Sequence, residues 1–195
     1  MEKINQIRFL SLWIFILPFI ALNLCLYISV NWLDFQNTIL QVDPIGQTGF
    51  TIPYIDGSVS ISRTARSYPT YLIFKPSMII TAILLIKYWL NTDQLIKNVT
   101  NHSGKRKLFL VFGVLSAIFL ILHSIFLGVS FDHEAYKLFR RIVILCFILF
   151  EIAAQALLVI TLFKIKKIIF DIINNKILIL KILLVSILTA TALAS

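Results

Sequence analysis

The sequence predicts an all-α polytopic membrane protein: a transmembrane helix bundle with five visible spans and an extracytoplasmic loop cap between the first and second. Three observations carry that prediction. Hydrophobic residues make up 59% of the 195-residue chain and charged residues only 14%, and the mean hydropathy is +0.92; soluble domains do not have this composition. The apolar residues gather into runs close to the roughly 20 residues that a helix rising about 1.5 Å per residue needs to cross a bilayer. The basic residues, which leave a formal net charge of +9, stand in short clusters at the ends of those runs. There they orient helices and meet anionic lipid headgroups, so membrane lipids are the expected partners and nucleic acid is not.

The first run covers residues 9–30. Lys3 and Arg8 ahead of it look like the start of a signal peptide, but the run exceeds a signal's apolar core of about 7–15 residues and lacks an A-x-A site. A lipoprotein site at ALNLC (21–25) would want small residues where Asn23 and Leu24 stand. The run therefore reads as an uncleaved helix. Pro18 removes one backbone donor and is expected to kink it, and Trp32 sits where an interfacial aromatic belongs. Cys25 and Cys146 lie inside apolar runs, where a free thiol behaves as a small hydrophobe, and no disulfide framework is expected.

Residues 31–68 are too many for a tight connection between neighbouring helices, and loops of that length are usually functional. Pro44, Gly46, Gly49, Pro53 and Gly57 divide the segment into turns. SVSIS at 58–62 alternates as a short strand would, so a small ordered cap is expected. The polar passage Thr51–Pro76 concentrates Asp56, Gly57, Arg63, Arg66 and three of the five prolines.

The second span is predicted at 69–90, with Lys75 and Pro76 in its first two turns and Trp89 marking the far interface. A loop at 91–107 closes on Lys105, Arg106 and Lys107. The third span is 108–130, followed by a short charged connection at 131–137. The fourth is 138–163, ending at Lys164, Lys166 and Lys167, and residues 168–175 read as an amphipathic interfacial turn. The fifth is 176–195. Along it Ser186, Ala190 and Ala194 recur every four residues and form a small-residue face for a partner helix, to be supplied by a longer chain or by another subunit.

Basic residues beside the spans set the orientation. Lys3, Arg8, Lys87, Lys97, Lys105, Arg106, Lys107, Lys164, Lys166, Lys167 and Lys176 fall on one side; Arg63, Arg66, Lys75, Lys137, Arg140 and Arg141 fall on the other. The excess places the N-terminus and the 91–107 loop in the cytoplasm and the Thr51–Pro76 passage outside it. Which membrane holds the chain is left open.

Glu151 falls near the middle of the fourth span, where an ionisable residue costs a few kcal/mol, and Gln155 is one turn further on the same face. Either Glu151 accepts a proton or binds a headgroup, or it is a protonated carboxyl joining helices. His123 in the third span is an acid or base near neutral pH, or a donor across a helix interface. Ser124 and Gly128, four apart, suggest close packing. There is no HExxH, no paired CxxC, no GxSxG and no phosphate-binding glycine loop. No metal or cofactor is expected, and the sequence leaves open whether the chain is an enzyme.

Arg63, Arg66 and Lys75 bring three cations to the outer interface, where guanidinium forks suit phosphate or carboxylate. Asp56 before Gly57 favours a turn; it orders the loop on its own backbone or pairs with an arginine. The alternative for the cations is snorkelling to bulk headgroups.

At Pro53, Tyr54, Ile55, Asp56 and Gly57 the chain reads PYIDG. This resembles the P-[FY]-I-S-D-x-G-like signature in the first extracytoplasmic loop of the family of damage-regulated autophagy modulators and GPI-anchor lipid-remodelling membrane proteins, to which the N-terminal part of the yeast cell-wall hypersensitivity protein is similar. The serine before the acid and the spacer before the glycine are absent here. The resemblance implies a six-helix bundle connected with lipid remodelling or lipid-dependent sorting, with no catalytic set attached. Two other functional classes fit the same residues: a small proton-coupled transporter using Glu151, and a non-catalytic assembly subunit using the small-residue face of the fifth span.

Overall fold

The computed structural model describes residues 2–42, 52–56, 61–100, 108–129, 134–165 and 175–194, and all the regular structure among them is helical. Helix α1 (Glu2–Val30) is followed by two single-turn helices, α2 (Pro53–Asp56) and α3 (Ile61–Thr64). Four long helices come next: α4 (Tyr71–Thr100), α5 (Leu108–Phe126), α6 (Glu134–Lys164) and α7 (Asn175–Ala194). By length and composition α1, α4, α5 and α6 can each cross a membrane. In none of them is more than 33% of the most apolar stretch buried, and Phe15, Phe19, Ile83, Leu145 and Phe163 all point outward. Helices present such a surface when their solvent is lipid. The chain is an integral membrane protein.

Each long helix packs against the next in sequence, and side-chain contacts give their directions. At one end of the α1–α4 pair Lys3 Nζ donates to Gln94 Oε1 at 3.0 Å; at the other the Cys25 thiol donates to the Thr70 carbonyl at 3.4 Å. The two helices are therefore antiparallel. Lys75 near the start of α4 meets Ile125 near the end of α5, and the Tyr136 hydroxyl in the first turn of α6 donates to the Phe126 carbonyl at 2.8 Å. The bundle runs up and down.

The core between α4, α5 and α6 is built on Ala82, Leu85, Trp89, Phe109, Ala117, Leu120, Ala154 and Leu158. Trp89, expected at an interface, is instead fully buried, seated against Gly113, where an added Cβ would fall inside the indole. The span prediction ended α4 at Leu90, but the helix continues to Thr100. The Thr92 hydroxyl is satisfied within the helix by the Tyr88 carbonyl at 2.8 Å, and Lys97 pairs with Asp93 one turn earlier, an i,i+4 ion pair that supports helix beyond the apolar run. The first part of the expected 91–107 loop is thus helical, and 101–107 lie outside the described residues.

Other boundaries move for similar local reasons. Helix α6 starts at Glu134, within the expected 131–137 connection. Helix α5 stops at Phe126 because Gly128 turns the chain with φ at 81°, a left-handed exit that glycine adopts without a Cβ penalty. Gly128 is thus a helix stop, not a packing position inside the span, while Ser124 is fully buried as expected. Of the strand expected at 58–62, residues 57–60 lie outside the described residues and Ile61 and Ser62 are helical in α3. The Ser67 and Thr70 hydroxyls both bond the Thr64 carbonyl, which favours a compact turn after α3 over an extended segment. In α7 Ser186 and Ala190 are exposed, and the side chain of Ala194 lies outside the described residues.

Candidate functional site

The end of the bundle where α4 begins, α5 stops and α6 starts collects cations. Ala65 is buried in a small cluster with Cys25, Phe74 and Leu127, which seats the turn after α3 over the end of α5. The next residue is Arg66. Gly128 passes beneath it, and a Cβ there would lie 3.1 Å from the Arg66 carbonyl oxygen. His123 is one turn before the end of α5, and Lys137, Arg140 and Arg141 occupy the first two turns of α6. These five basic residues, with Leu127 and Ile144, line a recess of about 510 Å³.

No acidic residue is among the described residues lining it. The Arg140 guanidinium lies over the Tyr136 ring, 5.3 Å from its centroid, and that ring is fixed by its hydroxyl bond to the end of α5. Arg140 Nε is buried without a hydrogen-bond partner among the described residues. Burial, then the like charges of Arg140 and Arg63, hold the Arg66 guanidinium below the ordinary arginine value. The placement of Lys137, Arg140 and Arg141 also opposes helix electrostatics. The first turns of a helix carry the positive end of its dipole and favour acidic side chains, so cations there cost stability. Helix α6 opens on Glu134, which suits that end, but Lys137, Arg140 and Arg141 follow within two turns and raise the potential inside the recess toward anions.

Of the three cations expected to act together, the structure places only Arg66 in the recess. Lys75 Nζ donates to the Ile125 carbonyl at 3.3 Å and lies 5.2 Å from the Tyr71 ring centroid; it caps the end of α5. Arg63 is exposed and does not line the recess. In α2 the Tyr54 hydroxyl donates to Asn23 Oδ1 at 3.0 Å and ties the cap to α1. The side chains of Pro53 and Asp56, and all of Gly57, lie outside the described residues. By sequence Lys137, Arg140 and Arg141 count only as orientation charges. Their crowding at the start of a helix was the signal that set them apart.

Glu151 does not line the recess; it sits deeper, among polar groups from neighbouring helices. Ser116 Oγ on α5 is 2.7 Å from Glu151 Oε2, and Gln155 Nε2 donates to Glu151 Oε1 at 2.8 Å. Ser116 is seven residues from His123, about 10 Å along the helix, so His123 and Glu151 stand at two separate levels of the bundle.

The chain matches no family model, no curated protein and no solved structure.

Proposed function

We propose that this protein binds anionic, phosphate-bearing lipid headgroups in the recess between the α3 turn and the start of α6, and that it acts in lipid remodelling or lipid-dependent sorting. The observation that carries the reading is the convergence of Arg66, Lys137, Arg140 and Arg141 on one recess with no described carboxylate in its lining. Its volume is within the range of small-ligand sites, and it opens at the level of the helix ends, where headgroups lie. Guanidinium groups from two separate elements suit the several oxygens of a phosphate.

The basic residues counted for orientation support an extracytoplasmic recess, since the smaller set gathers at this end and Lys3 lies at the other. The PYIDG stretch supports the link to lipid-remodelling membrane proteins. The test is native mass spectrometry of the gently solubilised protein, comparing wild type with Arg66→Ala/Arg140→Ala and with Arg63→Ala. Each cation near an anionic surface contributes about 1 kcal/mol, so the double variant should lose roughly 30-fold in affinity while Arg63→Ala retains lipid. Unchanged retention in the double variant would remove the recess as the site.

A further inference from the structure

The described side chains that line the recess differ in what they can exchange with a ligand. Arg66, Lys137, Arg140 and Arg141 only donate hydrogen bonds, Leu127 and Ile144 make none, and His123 alone can accept one as well as donate. A headgroup that carries hydroxyls or an ammonium beyond its phosphate brings donors of its own, and donors facing donors stay unsatisfied once water is gone. A terminal phosphate ester brings acceptors instead: three oxygens and a charge of about −1.5 to −2 near neutral pH. A phosphodiester has fewer free oxygens and a smaller charge.

The cations stand where one phosphate reaches several of them. Lys137, Arg141 and Ile144 follow at steps of four and three residues along one stripe of α6, with Arg140 beside them, and Arg66 comes from the turn after α3. His123 shares the level of Arg140. The Tyr136 hydroxyl holds α6 to the Phe126 carbonyl; from that contact His123 is three residues back along α5 and Arg140 four residues on along α6, about 4.5 and 6 Å in the same direction. Arg140 Nε, buried without a partner among the described residues, is a donor that a phosphate oxygen satisfies. Burial and then like charge already weigh on the Arg66 guanidinium. A dianion relieves that repulsion more than a monoanion, because each pairwise attraction scales with the ligand's charge. Ile144 lies one turn deeper than Arg140, and Lys137 and Arg141 also border a second recess of about 350 Å³ with Ala135 and Leu138. These apolar groups offer a glycerol backbone and its acyl chains a surface for which a free phosphate has no use.

We propose that the recess selects a lipid ending in a phosphomonoester. Arg66 and Arg140 grip the terminal oxygens from two elements, Lys137 and Arg141 balance the second charge, and His123 accepts the hydrogen of whichever oxygen remains protonated. This rests on the headgroup reading of the recess and names its ligand class. A phosphodiester has no such hydrogen to give, and a zwitterionic headgroup finds no described carboxylate in the lining for its ammonium.

The full chain in neutral detergent, titrated with phosphatidic acid, phosphatidylglycerol and phosphatidylethanolamine of matched acyl chains and followed by native mass spectrometry, tests the selection. Phosphatidic acid is expected to bind about tenfold tighter than phosphatidylglycerol, with phosphatidylethanolamine weakest. In His123→Phe the ratio between the first two should fall about threefold, and His123→Gln, which keeps an acceptor, should hold it. A ratio unchanged in His123→Phe removes His123 from the selection; should that variant fail to fold, the wild-type ratio decides by itself. Equal affinity for phosphatidic acid and phosphatidylglycerol, with both weakened in Arg66→Ala/Arg140→Ala, overturns the monoester selection and leaves the recess as a headgroup site. Affinities unchanged in that double variant overturn both. Inorganic phosphate at the concentration of the lipid should leave phosphatidic acid bound, and displacement would assign the recess to free phosphate and overturn the lipid.

Discussion

Gly128 and Arg66 are in backbone contact: the chain leaves α5 at a φ of 81° directly beneath the Arg66 carbonyl. A side chain at 128 would meet both a left-handed backbone, costing about 1–2 kcal/mol for an L-residue, and an oxygen 3.1 Å from its Cβ. Gly128→Ala should therefore lower the thermal midpoint and, by lifting the α3 turn, weaken retention of anionic lipid. A variant that loses stability but keeps full lipid retention would show that Arg66 does not need this seat.

Lys75 separates capping from binding. Its amine satisfies one of the last carbonyls of α5, where the negative end of the helix dipole favours a cation. Lys75→Met keeps the stem and removes the charge. It should cost about 0.5–1 kcal/mol in denaturant unfolding and leave lipid retention at the wild-type level, since Lys75 does not line the recess.

Salt gives a reading that needs no substitution. Charges at an open recess are screened over about 10 Å at 0.1 M ionic strength and about 3 Å at 1 M. Retention of anionic lipid should fall as salt rises, and the slope should be shallower for Arg66→Ala/Arg140→Ala than for wild type. Parallel slopes would place the attraction elsewhere on the surface.

Lipid demands long apolar runs, and the four helices long and apolar enough to cross a membrane, α1, α4, α5 and α6, lie on such runs. Trp89 and the end of α4 were misjudged for one shared reason. Hydropathy falls at Asn91, whereas helix continuation is supported by local pairs such as Lys97 with Asp93, which hydropathy does not see. The cation site was half legible. Arg66 was visible in a polar passage, but Arg140 lines the same recess only because the turn after α3 is seated over the end of α5, beside the start of α6, and such a juxtaposition of distant segments leaves no local trace.

The seat of Trp89 against Gly113 makes the last prediction. Trp89 is fully buried, packed edge-on to Tyr88 with ring centroids 5.2 Å apart and tilted against Phe109 at 6.1 Å, so neighbouring rings hold the indole in place. Gly113 exists in that space because any Cβ would enter the ring. Gly113→Ala should therefore destabilise by about 1–3 kcal/mol, the usual cost of overpacking, despite alanine's better helix propensity. The shift should also travel: the Gly113 carbonyl is 2.8 Å from Ser116 Oγ, which in turn contacts Glu151. Pairing Gly113→Ala with Trp89→Leu, which vacates the ring, should recover part of the loss, giving a coupling of about 0.5–3 kcal/mol between the two positions in a double-mutant cycle. Strictly additive losses would mean that α4 and α5 can slide apart at this level, and that the close approach of Gly113 to the indole is not what sets their spacing.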